Sequence, residues 1–75
     1  MPKQTFFNLS DSKQQRILNA AVEEFGAHVY LKTSINRIIK KANISKGSFY
    51  QYFSNKKDLY KYILDQVAEA KMKFL

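Results

Sequence analysis

Cysteine is absent from this chain. Without thiols there is no disulfide framework and no thiolate metal site, and a small domain lacking such staples fits a reducing cytoplasm. Histidine occurs once, at His28, where further metal ligands are lacking. A surface histidine near a helix C-terminus is the plainer reading, so no metal is expected. Long apolar runs are missing too: none approaches the roughly 20 residues that span a bilayer, and no membrane segment is predicted. The first ten residues, MPKQTFFNLS, hold one lysine and no apolar stretch, unlike a secretory signal. Acidic residues are scarce, six against 13 Lys and Arg, and none lies between Phe25 and Lys57. That segment holds Lys32, Arg37, Lys40, Lys41, Lys46, Lys56 and Lys57. Elsewhere six basic and six acidic residues cancel, so the formal charge of +7 belongs to this one stretch, where a polyanion would dock.

What is present suits a folded domain. Seventy-five residues make one small domain, and a chain of this size buries only about 60% of its unfolded surface. A large enclosed catalytic pocket is therefore not expected. A hydrophobic content of 45% with 25% charged residues is that of a globular chain, and five Tyr and six Phe supply core anchors. No internal repeat or low-complexity segment occurs.

Residues 1–9 carry no periodicity and are expected to form a mobile arm, with Phe6 or Phe7 folded back on the core. A first helix is predicted near Asp11 to His28. Ser12 with Gln15 fits a capping box there, and Ser10 or Asp11 can cap equally well. Ile17, Leu18, Ala21, Val22 and Phe25 form its apolar stripe, with Arg16, Asn19, Glu23 and Glu24 facing water. A second helix is predicted over Ser34 to Ala42, capped by Thr33 or Ser34, with Ile35, Ile38, Ile39 and Ala42 inward. Asn43 stands where a left-handed residue would close it, and Ile44 plugs the turn. Ser45 caps a third helix reaching Tyr52, in which Phe49 and Phe53 point inward while Tyr50, Gln51 and Tyr52 cover the outside. Gly47 costs helix propensity, about 0.8 to 1.0 kcal/mol against Ala, and its missing side chain permits close approach to a ligand surface. Ser54 or Asn55 caps a longer fourth helix, Lys56 to Phe74, with Leu59, Ile63, Val67 and Ala70 as its inner stripe. Apolar residues run to the last position, which suggests a longer protein or a helix that pairs with another chain.

The second and third helices with the turn between them read as a helix-turn-helix, and the fold class is all-α, a small bundle with a longer fourth helix. A membrane-surface amphipathic helix is disfavoured because the pattern breaks at Asn43 and Ser54. The scattered acids and the lack of a Ser, His and Asp set or a phosphate loop argue against an enzyme. A small protein-protein adaptor using the fourth helix is the serious competitor.

The runs ILNAAVEEF and TSINRIIKKANISKGSFYQYFSNKKDLY, at their distance, resemble the amino-terminal DNA-binding domain of the tetracycline-repressor (TetR) family of bacterial regulators. The likeness runs from about Lys13 to Val67, with SKGSFYQYFSNKKDL its most specific part. It implies a domain over residues 10–75 that binds double-stranded DNA at a palindromic operator as part of a cytoplasmic repressor. It also implies a homodimer in a longer parent, and a small-molecule inducer bound only by the larger helical domain missing here. No cofactor is implied. Three positions depart from the family pattern: Val29 and Asn43 replace glycines, and Ile39 replaces a small alanine.

By the same resemblance, Ser34, Tyr50, Tyr52 and Lys56 contact phosphates, while Lys46, Gly47, Ser48 and Gln51 face the major groove. Their chemistry agrees. Lys donates to guanine O6 and N7, Gln pairs bidentately with adenine, Ser serves either, and Gly lets the helix start sit deep. Tyr hydroxyls and the helix starts at Ser34 and Asn55 suit phosphate oxygens. The plainer reading is core packing with a wet hydroxyl for Tyr50 and Tyr52, an early turn for Gly47, and a solvated face for Arg37, Lys40 and Lys41.

Overall fold

Four polar side chains set where the long helices begin. In the computed structural model, which describes residues 1–73 with side chains through Glu69, Ser10 accepts the Lys13 N–H at 3.3 Å and opens a helix over Asp11–Ala27. Ser34 accepts the Arg37 N–H at 3.2 Å ahead of Ile35–Ala42, and Ser45 accepts the Ser48 N–H at 3.0 Å ahead of Lys46–Tyr52. Asn55 accepts the Asp58 N–H at 2.8 Å ahead of Lys56–Lys73. Each satisfies one of the donors that a helix start leaves without a partner. These helices are α2, α3, α4 and α5. They are the four that periodicity predicts, within a residue at each described end. Phe74, where the last was expected to stop, lies outside the described residues, as do the side chains of Ala70 and Met72.

A further helix, α1 over Gln4–Phe7, was not expected. Residues 3–7 pack against the end of α4, and the reason is chemical. An α-helix leaves its last carbonyls without intrahelical donors, and this segment supplies them to α4. The Lys3 N–H donates to the Tyr52 carbonyl at 2.8 Å, Lys3 Nζ to the Tyr50 carbonyl at 2.9 Å, and the Thr5 hydroxyl to the Gln51 carbonyl. Phe6 is fully buried, with its ring 5.1 Å from Phe53 and 5.9 Å from Tyr62 between centroids, whereas Phe7 stays partly exposed.

The core joins Phe6, Ile17, Ala20, Ala21, Ile38, Ala42, Phe49, Phe53, Leu59 and Ile63. Of the other expected inward positions, Leu18, Phe25, Ile35 and Ile39 are partly buried against this core, whereas Val22 is 50% and Val67 43% exposed. On α2 the buried stripe is Ile17, Ala20, Ala21 and Glu24, the i, i+3, i+4, i+7 set, which turns Val22 to solvent.

The turns close as their residues permit. Asn43 takes φ 58°, ψ 48°, and donates to the Lys40 carbonyl while the Ile44 N–H reaches the Ile39 carbonyl at 3.0 Å, a Schellman closure between α3 and α4. At the end of α2 no left-handed residue is used. His28 turns extended and Val29 has φ −63°, so a β-branched residue replaces glycine there without strain. A single 3₁₀ turn, Tyr30–Lys32, then leads into α3.

Candidate nucleic-acid interface

Helix α4 sorts its residues by angle. At about 100° per residue, Phe49 and Phe53 lie inward and Gly47 and Gln51 fall on the opposite side. Lys46 and Tyr50 lie along one flank, Ser48 and Tyr52 along the other. Burial agrees: Phe49 and Phe53 are fully covered, Lys46, Gly47, Tyr50 and Gln51 are exposed, and Ser48 and Tyr52 are half-buried. The outward ridge is therefore Gly47 and Gln51.

Nothing inside the molecule requires the glycine. It has no positive φ, and a Cβ there would meet only the Ser45 Oγ, at 4.0 Å. A residue that costs helix propensity with no internal return points to an external surface that comes close.

The first flank opens into a cleft of about 270 Å³ lined by Ser34, Asn36, Lys46, Tyr50 and Lys56. Four of the eight sequence-derived contact residues thus meet at one place, between the starts of α3, α4 and α5. Lys56 Nζ donates to the carbonyls of Tyr30 (3.0 Å) and Thr33 (3.3 Å) and sits 4.5 Å above the Tyr30 ring. An ammonium has three donors, so one remains for an anion. Tyr30 itself is held against Phe25 and Tyr60 at 6.4 and 4.8 Å between centroids.

Ser48 and Tyr52 belong to the other flank. The Ser45 hydroxyl donates to Ser48 Oγ at 2.9 Å, and the Tyr52 ring lies edge-on to Phe6 at 6.4 Å.

Glu24 and Arg37 escaped the sequence reading as a pair. Glu24, expected in water, is only 1% exposed. One of its oxygens accepts the Ser34 N–H at 3.0 Å and Arg37 Nε at 2.8 Å, and it lies 2.7 Å from Arg37 Nη2 and 3.8 Å from His28 Nε2. Arg37 also donates to the Lys32 carbonyl at 2.8 Å. The hydrogen bond from Arg37 above all, then the Ser34 N–H, holds the Glu24 carboxyl below its ordinary range against the opposing effect of burial. The available signal was an acid at i+7 from Ile17, inside the apolar stripe.

These pairings refine the basic field. Arg37 is matched by Glu24, and Lys41 by Glu23 at 3.0 Å. Among the described residues, Lys32, Lys40, Lys46, Lys56 and Lys57 have no carboxylate partner; Lys40 lies in the last turn of α3 and the other four stand at or just before the starts of α3, α4 and α5. No group of three potential metal ligands occurs among the described residues. Nor is any helix there long and apolar enough to cross a membrane.

Residues 17–63 match the family described as bacterial regulatory proteins, tetR family. The chain belongs to the TetR family. It is 44% identical over 59 residues to the HTH-type transcriptional regulator YvdT of Bacillus subtilis, covering 79% of this chain and 28% of that protein. It is 34% identical over 47 residues to a protein named as the probable acrEF/envCD operon repressor of Escherichia coli K12, covering 63% and 21%. A crystal structure of a TetR family transcriptional regulator from Chloroflexus aurantiacus superposes with a TM-score of 0.93 at 47% identity, over 99% of this chain and 34% of that one. The chain thus spans about a fifth to a third of the length of these relatives, and it is the TetR-type helix-turn-helix domain. In TetR terms, α2 to α5 are the expected bundle, with α3 and α4 the helix-turn-helix.

Proposed function

We propose that this domain reads double-stranded DNA for a cytoplasmic bacterial repressor, with α4 seated in the major groove. Lys46, Gly47 and Gln51 face base edges, and Ser48 lies at the groove margin with its hydroxyl engaged by Ser45. Ser34, Tyr50 and Lys56 take phosphates from the first cleft, and Tyr52 from the other flank. The observation that carries this reading is the Gly47 and Gln51 ridge, bare of side chain at one position and bordered by cations without carboxylate partners. The domain acts by binding and performs no catalysis.

One seven-residue helix contacts too few bases for useful specificity. The longer parent is therefore read as a homodimer on a palindromic operator, its two recognition helices about 34 to 36 Å apart or at multiples of that spacing. The inducer is bound by the parent's remaining domain. The test is selection of duplexes from a random pool, followed by salt titration on selected and scrambled sequences. Enrichment of one half-site, with log affinity falling linearly in log salt, is expected. Salt-insensitive capture of a protein through α5, without DNA affinity, would favour the adaptor instead.

A further inference from the structure

We infer that the second flank of α4 is also a backbone-binding surface, and that Lys13 and Arg16 of α2 hold phosphates of the strand across the groove. This rests on the proposed DNA reading and extends it. A major groove about 12 Å wide has a sugar-phosphate wall on each side, so a helix lying in it meets both. The first wall faces the cleft of Ser34, Tyr50 and Lys56. On the opposite flank, Ser48 and Tyr52 open into a separate cleft of about 270 Å³ that also includes Lys13, Arg16, Asn43 and Ser45. No acid lines it. Asp11, two residues before Lys13, is exposed and does not line the cleft, and Glu23 on the same helix is engaged by Lys41.

The two cations differ in how they are prepared. Arg16 Nε donates to the Ala42 carbonyl at 2.8 Å, which fixes the guanidinium beside the end of α3 and leaves its terminal nitrogens without a partner among the described residues. A pre-positioned planar fork loses little freedom on meeting a phosphate. Lys13 makes no side-chain bond among the described residues, so its removal costs the fold little. Tyr52, placed away from Tyr50, gains a purpose on this flank: its ring anchors on Phe6 while its edge lines the cleft. A duplex is thus gripped from both walls.

The test compares Lys13→Ala, Lys56→Ala and Lys61→Ala in the chain, with circular dichroism as a check on folding. Lys61 is an exposed lysine on α5 that lines neither cleft, and it controls for net charge. Lys13→Ala is expected to lower the slope of log affinity against log salt by about one unit on any duplex. Lys61→Ala is expected to leave the slope nearly unchanged. Phosphate ethylation then locates each cation on the duplex. The phosphate whose ethylation ceases to weaken binding in Lys13→Ala should lie on the strand opposite the one that ceases to matter in Lys56→Ala. An unchanged slope for Lys13→Ala while Lys56→Ala lowers it would overturn this inference alone. So would an equal drop from Lys61→Ala, or both phosphates falling on one strand. Failure of the unsubstituted chain to bind any duplex would overturn the DNA reading and this inference together.

Discussion

Glu24 and Arg37 stand 13 residues apart in the chain and meet at 2.7 Å, a carboxylate from the last turns of α2 under a guanidinium from the first turn of α3. The same carboxylate oxygen holds the Ser34 N–H. The start of α3, where a phosphate is proposed to sit, is therefore oriented by a buried acid on another helix. Removing the acid leaves Ser34 N–H and Arg37 without their partner. Hydrogen bonds to charged groups are worth about 1.5 to 3 kcal/mol, and Arg37 is half exposed, so Glu24→Ala should cost about 2 to 3 kcal/mol in urea denaturation. A loss under half that would show the pair to be incidental.

The same carboxylate should make stability depend on acid. Its folded pKa lies below the ordinary value of 4.5, and that of Asp58 is also lowered. For Asp58, burial acts upward but is outweighed by the amino terminus at 2.6 Å and the Ser54 N–H. Groups depressed on folding contribute fully above their unfolded pKa and lose that contribution as pH falls through the folded one. The urea midpoint should thus hold from pH 7 to about 5 and drop below about 4.5. Glu24→Gln should lower the plateau and shrink the drop.

Gly47→Ala should move stability and binding in opposite directions. A Cβ meets nothing closer than 4.0 Å, so helix propensity should raise stability by about 0.5 to 1 kcal/mol. Duplex affinity should fall, because the added methyl stands on the ridge proposed to approach the bases. Thermal melts and fluorescence anisotropy on one preparation check both signs, and unchanged affinity would move the interface elsewhere.

Positioning and readout separate by salt. Lys56→Ala should weaken selected and scrambled duplexes alike and reduce the salt slope by about one unit. Gln51→Ala should cost about 1 to 3 kcal/mol on the selected site only and relax one or two base pairs. Equal losses on both duplexes for Gln51→Ala would reassign its role.

Phe6→Ala should test the docked arm. The ring is fully buried among Phe53, Tyr52 and Tyr62, so truncation should cost about 3 to 5 kcal/mol. Because the arm holds the carbonyls at the end of α4, hydrogen exchange there should speed up beyond what global unfolding accounts for.

Local chemistry made much of this protein readable from its sequence. Helix starts followed from Ser45, from Thr33 or Ser34 and from Ser54 or Asn55, of which Ser34 and Asn55 make the caps, and the turn followed from Asn43, because caps and left-handed residues act within a few positions of themselves. The outward placement of Gly47 and Gln51, with Lys46 on one flank, followed from the spacing of Phe49 and Phe53. Tertiary structure alone decided three matters. Residues 3–7 pack against α4 because its last carbonyls take donors from a segment 46 to 49 positions away. Glu24 is buried because the donors that satisfy it come from another helix. Which neighbours each flank of α4 meets, Lys13 and Arg16 beside Ser48 and Tyr52 but Ser34 and Lys56 beside Tyr50, depends on how α2, α3 and α5 pack around it. Periodicity registers which face of a helix is covered, but a hydrogen bond between distant segments leaves no period in the chain.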